Sequence, residues 1–409
     1  MTVEELFVAG LCTQCGTCAG ICPAAAISLS WECRIGYRLR VDQQACIDCG
    51  SCLAVCPAEG FDYTEGAGWR ARNGDAPAPD FLGPWRRLWF GWAADEQVRY
   101  SGASGGVATA ILQGSLASGD IDAAVVCRVD PANSLAVEPV LARTPDEVAV
   151  CRGSKYNVAA VNLLLRRLLD EPGHYAVVGL PCHLQGLRKA QDRYVALRDR
   201  VAFTLGIFCG WTATPRATEV TARRVGLDAD ELTSVRYRGP GWPGGMRLET
   251  RAGVVRELPY PAYFDRLMYA YTPPRCRLCP DALAELADIS VGDAWLERFK
   301  GSAGVSDVIA RTPEGEDVLG RLVPRHLTLT EATPEEILRS QVDTYAMKRP
   351  VFRGRLWLRG LSGRRTPTYP GISARPSLSD RLRGVGDLVN EVAYRAVGDL
   401  RFRRPAPPA

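Results

Sequence analysis

The sequence predicts a two-part α/β protein, α+β overall: a small cysteine-dense module, then a layered α/β domain. Three observations carry this. Two cysteine runs of the same spacing lie within the first 57 residues. From about Tyr100, short apolar runs alternate with amphipathic stretches, the pattern of strands and helices in turn. Between the two, residues 67–98 are rich in Gly, Pro, Trp and Arg and read as an irregular connector packing its aromatics on a neighbour. The expected divisions are 1–66, 67–98, 99–175, 176–348 and a basic tail, 349–409.

Length and composition set the bounds. The 409 residues leave room for two to four domains at roughly 100–200 residues each. Apolar residues make up 46% and charged residues 23%, enough for a packed core. A net charge of +4 is too mild to argue for a nucleic-acid partner. Fifteen cysteines far exceed what packing uses, and nine fall before residue 57. The start, Met-Thr-Val-Glu-Glu-Leu, lacks the basic and apolar segments of a secretory signal, and no run of 18 apolar residues occurs. Tightly grouped cysteines without an export signal read as metal ligands in a reducing compartment, so the expected location is cytoplasmic.

Cys12, Cys15, Cys18 and Cys22 precede Pro23; Cys46, Cys49, Cys52 and Cys56 precede Pro57. Both runs have the C-x2-C-x2-C-x3-C-P spacing of bacterial two-cluster ferredoxins. Three thiolates two residues apart let one loop wrap three corners of a 4Fe–4S cubane. The fourth, at a helix start, points to the other cluster. The expected sets are Cys12, Cys15 and Cys18 with Cys56, and Cys46, Cys49 and Cys52 with Cys22. Zinc on CxxC pairs, or loops that hold nothing, is the alternative, and two complete sets with both prolines weigh against it. Alternation in ISLSWE and YRLRV predicts a hairpin from Ile27 to Val41, in which Cys33 has no partner at ligand spacing.

Behind the connector, SGASGGVATAILQGSL reads as a glycine-rich turn opening a helix, DIDAAVVCRV as a buried strand and VAAVNLLLRRLLD as a helix. HYAVVGLPC and VAFTLGIFCG are strands, each followed by a helix; ADISVGDAW and VSDVIA are further strands. The alternation predicts a mostly parallel sheet. Residues 339–409 hold 15 Arg and Lys against 5 Asp and Glu. There Leu378, Leu382, Val385, Val389, Val392 and Val397 mark an amphipathic helix. Its arginines form a solvated face, or dock on an acidic partner or anionic lipid. The end, RFRRPAPPA, reads as disordered.

Five features of this second part call for a joint explanation. Ser101-Gly102-Ala103-Ser104-Gly105-Gly106 offers backbone N–H groups to an anion or cofactor; tight helix packing is the alternative. Gly153-Ser154-Lys155-Tyr156, before a helix, offers a lysine and a hydroxyl to a phosphate; a capping serine with a solvated lysine is the alternative. Cys182, in Gly179-Leu180-Pro181-Cys182-His183, sits at a predicted helix N-terminus, where thiolate is favoured. Cys209 ends a strand, and Cys276 and Cys279 form a CxxC pair before Pro280. Parallel strands deliver their ends to one edge. Cys182, Cys209, Cys276 and Cys279 are therefore expected to meet as ligands of a third 4Fe–4S cluster. A structural zinc or a redox dithiol would use the same residues. Cys127 reads as core, and Cys151 is undecided.

In this order the pieces SGASGGVATAIL, GSKY, VVGLPCHLQGLR, GIFCG and RCRLCPDALAELADISVGDAW resemble the coenzyme F420 hydrogenase/dehydrogenase beta-subunit family, from about Tyr100 to Lys348. That family includes 7-hydroxymethyl chlorophyll a reductase. The resemblance implies a flavin-binding domain, with FAD between Ser101, Gly102, Ser104, Gly105 and Gly106, the Gly153–Tyr156 turn with Ser154 and Lys155, and Pro181. It implies a cluster close to the flavin. It gives Asp293 a place lining the flavin site and Asp288 a part in fixing the CxxC loop; strand-end capping is the alternative for both. His183 stands where the family usually has glutamine, and Cys151 where a small residue is usual. His183 and Lys155 are the candidate catalytic residues, the first as a proton donor, the second as a charge favouring reduced anionic flavin. A structural hydrogen bond is the alternative for His183.

The activity implied is that of an iron–sulfur flavoprotein oxidoreductase, moving electrons between ferredoxin-type clusters, FAD and coenzyme F420 as co-substrate. A ferredoxin-dependent reductase of a larger organic substrate, and an electron relay without a substrate of its own, are the competing readings. Expected partners are a redox protein or complex subunit and a small-molecule hydride donor or acceptor. An oligomer is compatible with each.

Overall fold

The fold is taken from a computed structural model that describes residues 2–64 and 81–401. The ends of two expected segments, within 65–80 and at 402–409, lie outside the described residues.

The N-terminal module is the same loop used twice. Gln14 and Asp48, just before the second cysteine of each run, have φ of 58° and 50°. Gly16 and Gly50, just after it, have φ of 84° and 67°. Left-handed residues at matching places turn the backbone N–H groups of each loop inward, forming a concave nest for negative charge. Short helices follow at Thr17–Ile21 and Ser51–Ala54. Between the loops, β1 (Ile27–Glu32) pairs antiparallel with β2 (Gly36–Val41), Ile27 opposite Val41, as the alternation predicts.

The second part is built on one eight-stranded sheet. Its strands are β3 (Arg87–Ala93), β4 (Ala123–Asp130), β5 (Asn133–Ala142), β6 (Tyr175–Gly179), β7 (Val201–Ile207), β11 (Ile289–Asp293), β12 (Ser306–Ala310) and β13 (Leu327–Glu331). The order is β13-β3-β12-β11-β7-β6-β4-β5. Only β4, β6, β7 and β11 run parallel to their neighbours; β5, β12, β3 and β13 pair antiparallel. The sheet is therefore mixed, not mostly parallel. The departures lie at the two sides of a parallel centre: β5 returns directly from β4 as a hairpin, which forces antiparallel pairing, and on the other side β12, β3 and β13 each pair antiparallel. Strand faces alternate as a two-sided sheet requires. Val125 and Val177 pack on one layer with Leu184, Leu187 and Phe352, while Ala124 and Ala176 pack on the other with Ile111, Leu205 and Leu319.

The connector reading needs correction. RLWFGWA, inside 67–98, is strand β3, paired with both β12 and β13. Its alternating apolar residues Leu88 and Phe90 are buried, which is the period of a strand. A small separate sheet, β8 (Leu232–Arg236), β9 (Gly245–Thr250) and β10 (Val255–Pro259), covers an aromatic core of Trp211, Tyr237 and Tyr263.

The expected C-terminal helix is present at Leu378–Arg401. Its orientation is the reverse of an ordinary surface helix. Asp380, Asp387 and Glu391 face the protein, and the apolar residues named above are exposed. Reciprocal bonds start it: Ser377 N–H donates to Asp380 Oδ2 (3.0 Å) and Asp380 N–H to Ser377 Oγ (3.1 Å).

Candidate metal centres and redox site

Cys12, Cys15, Cys18 and Cys56 line one cavity with Thr13 and Leu39, so the fourth cysteine does come from the other run. Cys22 and Cys52 pack against the same cluster of Val3, Ile27 and Leu39, so Cys22 lies beside the second run. Both loops repeat a sulfur–hydroxyl contact: Cys15 with Thr17 at 3.1 Å and Cys49 with Ser51 at 3.4 Å. The sets differ in depth. Cys15 and Cys18 are buried, whereas Cys49 is exposed.

Cys182 and Cys209 follow β6 and β7, where Gly179 lies opposite Gly206. They line one cavity together with Cys276, Cys279, Arg275, Asp281 and Lys348. The parallel strand ends thus bring together the four cysteines that the sequence set apart. Burial pushes the Cys182 thiol well up, with Cys15, Cys276 and Cys209 adding to it. The helix N-terminus expected to favour a thiolate there is outweighed by desolvation. Burial likewise takes Cys209 to about 12, against the opposing charge of Lys348. Thiolates at this depth need cations beside them. Lys348 and Arg275 are both buried at the cavity. Burial lowers the Lys348 pKa, but Cys279, Cys209, Cys276 and Asp281 together hold it above the ordinary lysine value. Among the described residues no three His, Cys, Asp or Glu side chains converge tightly enough for a single ion. Four sulfurs lining a cavity, with two cations beside them, fit a multi-iron cubane better than one zinc.

The two cavities adjoin. Thr13, in the first loop, lines both. The seam between the two parts is closely packed: Asn162 N–H donates to the Cys15 carbonyl (3.0 Å), its Nδ2 to Thr17 Oγ1 (2.8 Å), and Lys189 Nζ to the Cys56 carbonyl (2.8 Å). A Cβ on Gly20 would overlap the Asn162 carbonyl.

A second focus is Arg238, whose side chain is 1% exposed. It donates to Asp293 Oδ1 (2.9 Å), the Ala103 carbonyl (2.7 Å) and the Tyr156 hydroxyl (3.1 Å). Trp242 Nε1 donates to the same carboxylate at 2.7 Å. Tyr260 stacks on Trp295 at 5.2 Å, and the guanidinium lies over both rings, 5.0 and 5.5 Å from their centroids. One guanidinium therefore gathers the glycine-rich turn, the Gly153–Tyr156 turn and Asp293. Pro181 is not part of this group; it lines the cysteine cavity. Tyr156 connects the two, since its ring lies 6.5 Å from Trp211, and the next residue, Thr212, lines the cysteine cavity.

Several expected roles change. His183 is buried, and both ring nitrogens are engaged: Nδ1 accepts from the Leu180 N–H (3.0 Å), and Nε2 faces the Ala159 carbonyl (2.9 Å). Burial lowers its pKa to about 4. A neutral ring held at both ends caps its helix and ties down Ala159, which fits the structural hydrogen-bonding alternative. Lys155 does not open a helix either. Its ammonium donates to the carbonyls of Cys151, Arg152 (3.2 Å) and Gly153 (3.0 Å), closing the turn that carries Tyr156. The glycine-rich turn spends much of its bonding on the protein. Ser101 Oγ donates to Gln97 O (2.5 Å), Ser104 Oγ to Val305 O (2.9 Å) and Gly105 N–H to Ser306 Oγ (3.1 Å). A Cβ at Gly105 would stand 2.5 Å from the Gly91 carbonyl, so close packing demands that glycine. The helix that follows Gly106, Val107–Ser118, has no side-chain cap, which leaves its first-turn N–H groups for an anion. Asp288 accepts from Thr204 and Arg188, not from the CxxC loop. That loop is fixed by Arg275, which donates to the Pro57, Ala58 and Leu278 carbonyls, and by Tyr369 on Leu278.

Comparison with known proteins agrees with this arrangement. Residues 11–60 match a 4Fe–4S dicluster domain. Residues 88–166 match the N-terminal part, and 173–335 the C-terminal part, of the coenzyme F420 hydrogenase/dehydrogenase beta subunit. The coenzyme F420 hydrogenase subunit beta of Methanothermobacter thermautotrophicus is 28% identical over 266 residues, 62% of this chain and 87% of its own. The chloroplastic 7-hydroxymethyl chlorophyll a reductase of Oryza sativa subsp. japonica is 26% identical over 234 residues, 56% of this chain and 47% of its own. The coenzyme F420-dependent sulfite reductase of Methanocaldococcus jannaschii is 28% identical over 234 residues, 53% of this chain and 34% of its own. A chain of the F420-reducing NiFe hydrogenase complex from Methanosarcina barkeri shares the fold, with a TM-score of 0.55 at 22% identity over 69% of this chain and 96% of that one. With both segments present in order, the chain belongs to the coenzyme F420 hydrogenase/dehydrogenase beta-subunit family, behind a 4Fe–4S dicluster domain.

Proposed function

We propose that this protein is an iron–sulfur flavoprotein oxidoreductase that exchanges electrons between a redox partner or complex subunit and coenzyme F420. The observation that carries the reading is the succession of thiol sets. The Cys46, Cys49, Cys52 and Cys22 set lies nearest the surface; the Cys12, Cys15, Cys18 and Cys56 set is deeper; the Cys182, Cys209, Cys276 and Cys279 set adjoins it through Thr13. Three 4Fe–4S clusters on these sets form a path for single electrons from outside to interior. The path ends beside Tyr156 and Arg238. FAD bound there supplies the exchange between a hydride and single electrons, which neither a cluster nor a deazaflavin makes alone. The Val107–Ser118 helix start would hold its pyrophosphate, and the Tyr156, Tyr260 and Trp295 rings would flank it. Arg238, kept charged by Asp293, orients these pieces. Lys348 and Arg275 offset the thiolate charge of the third set. Two relatives are named for coenzyme F420, which supports that carrier over a larger organic substrate.

The test is anaerobic purification with iron, sulfide and flavin counted per chain, followed by F420 turnover with an artificial acceptor. About twelve irons with one flavin, and bleaching of F420 on reduction, is the expected result. About eight irons and no flavin would sink the flavin reading and leave a relay.

A further inference from the structure

Cys15, in the deeper ferredoxin-type set, is 5% exposed, and Thr17 Oγ1 lies 3.1 Å from its Sγ. The neighbours of that hydroxyl fix the direction of the contact. Asn162 Nδ2 lies 2.8 Å from Thr17 Oγ1 and 2.8 Å from the His183 carbonyl. A carbonyl only accepts, so the Asn162 amide turns its nitrogen, not its oxygen, to this side. The Thr17 oxygen therefore receives a hydrogen from Asn162. Its own hydrogen is left for the Cys15 sulfur, which as a ligand thiolate only accepts. Thr17 and Asn162 are both fully buried, and Asn162 Oδ1 has no partner, so the amide forgoes one bond to hold this orientation. The helix behind Cys182 makes room for the pair. A Cβ on Gly186 would stand 2.2 Å from Thr17 Oγ1 and 3.2 Å from Asn162 Nδ2.

The second loop lacks this support. Ser51 holds the matching place, 3.4 Å from Cys49 Sγ, and among the described residues no side chain donates to its hydroxyl. Cys49 is exposed, so water reaches that sulfur directly. Where the first loop has Gln14, the second has Asp48, with Oδ1 3.7 Å from Cys46 Sγ.

We propose that Asn162 and Thr17 form a donor relay, from Asn162 Nδ2–H to the Thr17 hydroxyl to Cys15 Sγ, that raises the reduction potential of the cluster on Cys12, Cys15, Cys18 and Cys56. The inference rests on the cluster reading given above. Reduction there is the gain of one electron from the outer set; no covalent bond changes and no proton moves. The electron adds negative charge to a buried site, which burial resists. A hydrogen bond to a ligand sulfur strengthens as that sulfur gains charge, so it favours the reduced state. Asn162 polarises the hydroxyl, and no water screens the chain. Asn162 belongs to the second part of the protein, so the ferredoxin module takes this tuning from the domain it is packed against. Neither residue is a ligand; both are positioning residues acting through Cys15.

The test is potentiometric titration of the full-length protein, purified anaerobically and followed by paramagnetic resonance. The signal of this cluster is the one that Cys56→Ala removes. Thr17→Val keeps the shape and deletes the hydroxyl. It is expected to make this cluster about tenfold harder to reduce, a fall of about 59 mV for one electron, with the other midpoints in place. Asn162→Leu is expected to shift it in the same direction by less, and Thr17→Ser to leave it near the native value. Ser51→Ala is expected to move the outer cluster less than Thr17→Val moves the inner one, because water replaces that donor. Iron content should match the native protein throughout. If Thr17→Val loads less iron, Asn162→Leu, which keeps the hydroxyl, decides. The proposal is overturned if the deciding variant leaves the midpoint unmoved, or if all midpoints move together. Fewer than about eight irons in the native protein would overturn the cluster reading and this inference with it, whereas full loading with an unmoved midpoint overturns this inference alone.

Discussion

Arg277 Nη1 stands 2.8 and 3.0 Å from the two carboxylate oxygens of Asp387. Arg277 is the residue directly after Cys276 in the CxxC pair, and Asp387 is on the C-terminal helix. The loop presenting two thiols of the third set is therefore pinned to the helix that carries the exposed apolar residues. The same guanidinium lies 4.3 Å from the Tyr269 ring centroid and reaches Glu391.

Cutting this pin should loosen both ends. Arg277→Met leaves Asp387 with Arg355, and Glu391 with Arg355 and Arg395. The expected cost is about 3 kcal/mol, the low end for a broken buried pair, because Arg355 still reaches both carboxylates. Hydrogen exchange over 378–401 should quicken, and iron should fall toward two clusters. Unchanged protection would show that the ion pair does not hold the helix.

The crossed fourth ligands can be separated by single substitutions. Cys22→Ala and Cys56→Ala should each remove about four irons of about twelve. Cys22→Ala takes the surface set and should slow reduction by a bulky protein donor. Cys56→Ala takes the buried set, leaving that first reduction fast but its onward transfer blocked. Equal behaviour of the two variants in stopped-flow reduction would refute the assignment.

Lys348 should tune the third set. Lys348→Met removes a buried positive charge next to three thiols. A cluster there becomes harder to reduce, with its potential falling on the order of 50–100 mV by Coulomb's law at an effective dielectric of about 20. A potentiometric titration followed by paramagnetic resonance reads this shift, and the two ferredoxin-type signals should stay where they are.

Acid should release the C-terminal helix. Burial raises the Asp380 carboxyl, but the Ser377 backbone N–H and Arg353 win and hold its pKa below the ordinary value. A carboxyl depressed on folding binds protons more readily when unfolded. Its contribution is thus complete above the ordinary carboxylate range, near pH 4, and is lost as pH falls through the folded value. Exchange protection at 378–401 should be level from pH 7 to about 5 and decline below about 4, and Asp380→Asn should flatten that profile.

What could be read from sequence follows contact range. The ferredoxin sets were legible because their ligands are two or three residues apart, and local spacing alone forces a shared loop. Cys182 and Cys209 were legible one step further, because parallel strands share an edge. Arg238 was not, since RYRGPGWPGG carries no motif, and the turns it joins are reached through Ala103, Tyr156 and Asp293, each at least 55 residues away. Lys348 and Arg275 were hidden for the same reason. For His183 and Lys155 residue type suggests chemistry, whereas the partners they have in the structure, the backbone at Leu180, Ala159 and Cys151 to Gly153, are set by local folding and were not legible. The C-terminal helix showed its period plainly, but periodicity names two faces without saying which one is turned inward. The four arginines that decide it, at 216, 277, 353 and 355, come from elsewhere in the chain.

The seam at Gly20 and Asn162 leaves no space for one more carbon atom. A carrier that diffuses must find its oxidase, and its rate then depends on concentration and on the salt that screens the encounter. In the proposed path the carrier is already seated, so passage from the Cys12 set inward would be first order in protein and indifferent to ionic strength. Any salt dependence of that reaction would then belong to the exposed Cys49 side, where the proposed outside partner must still arrive.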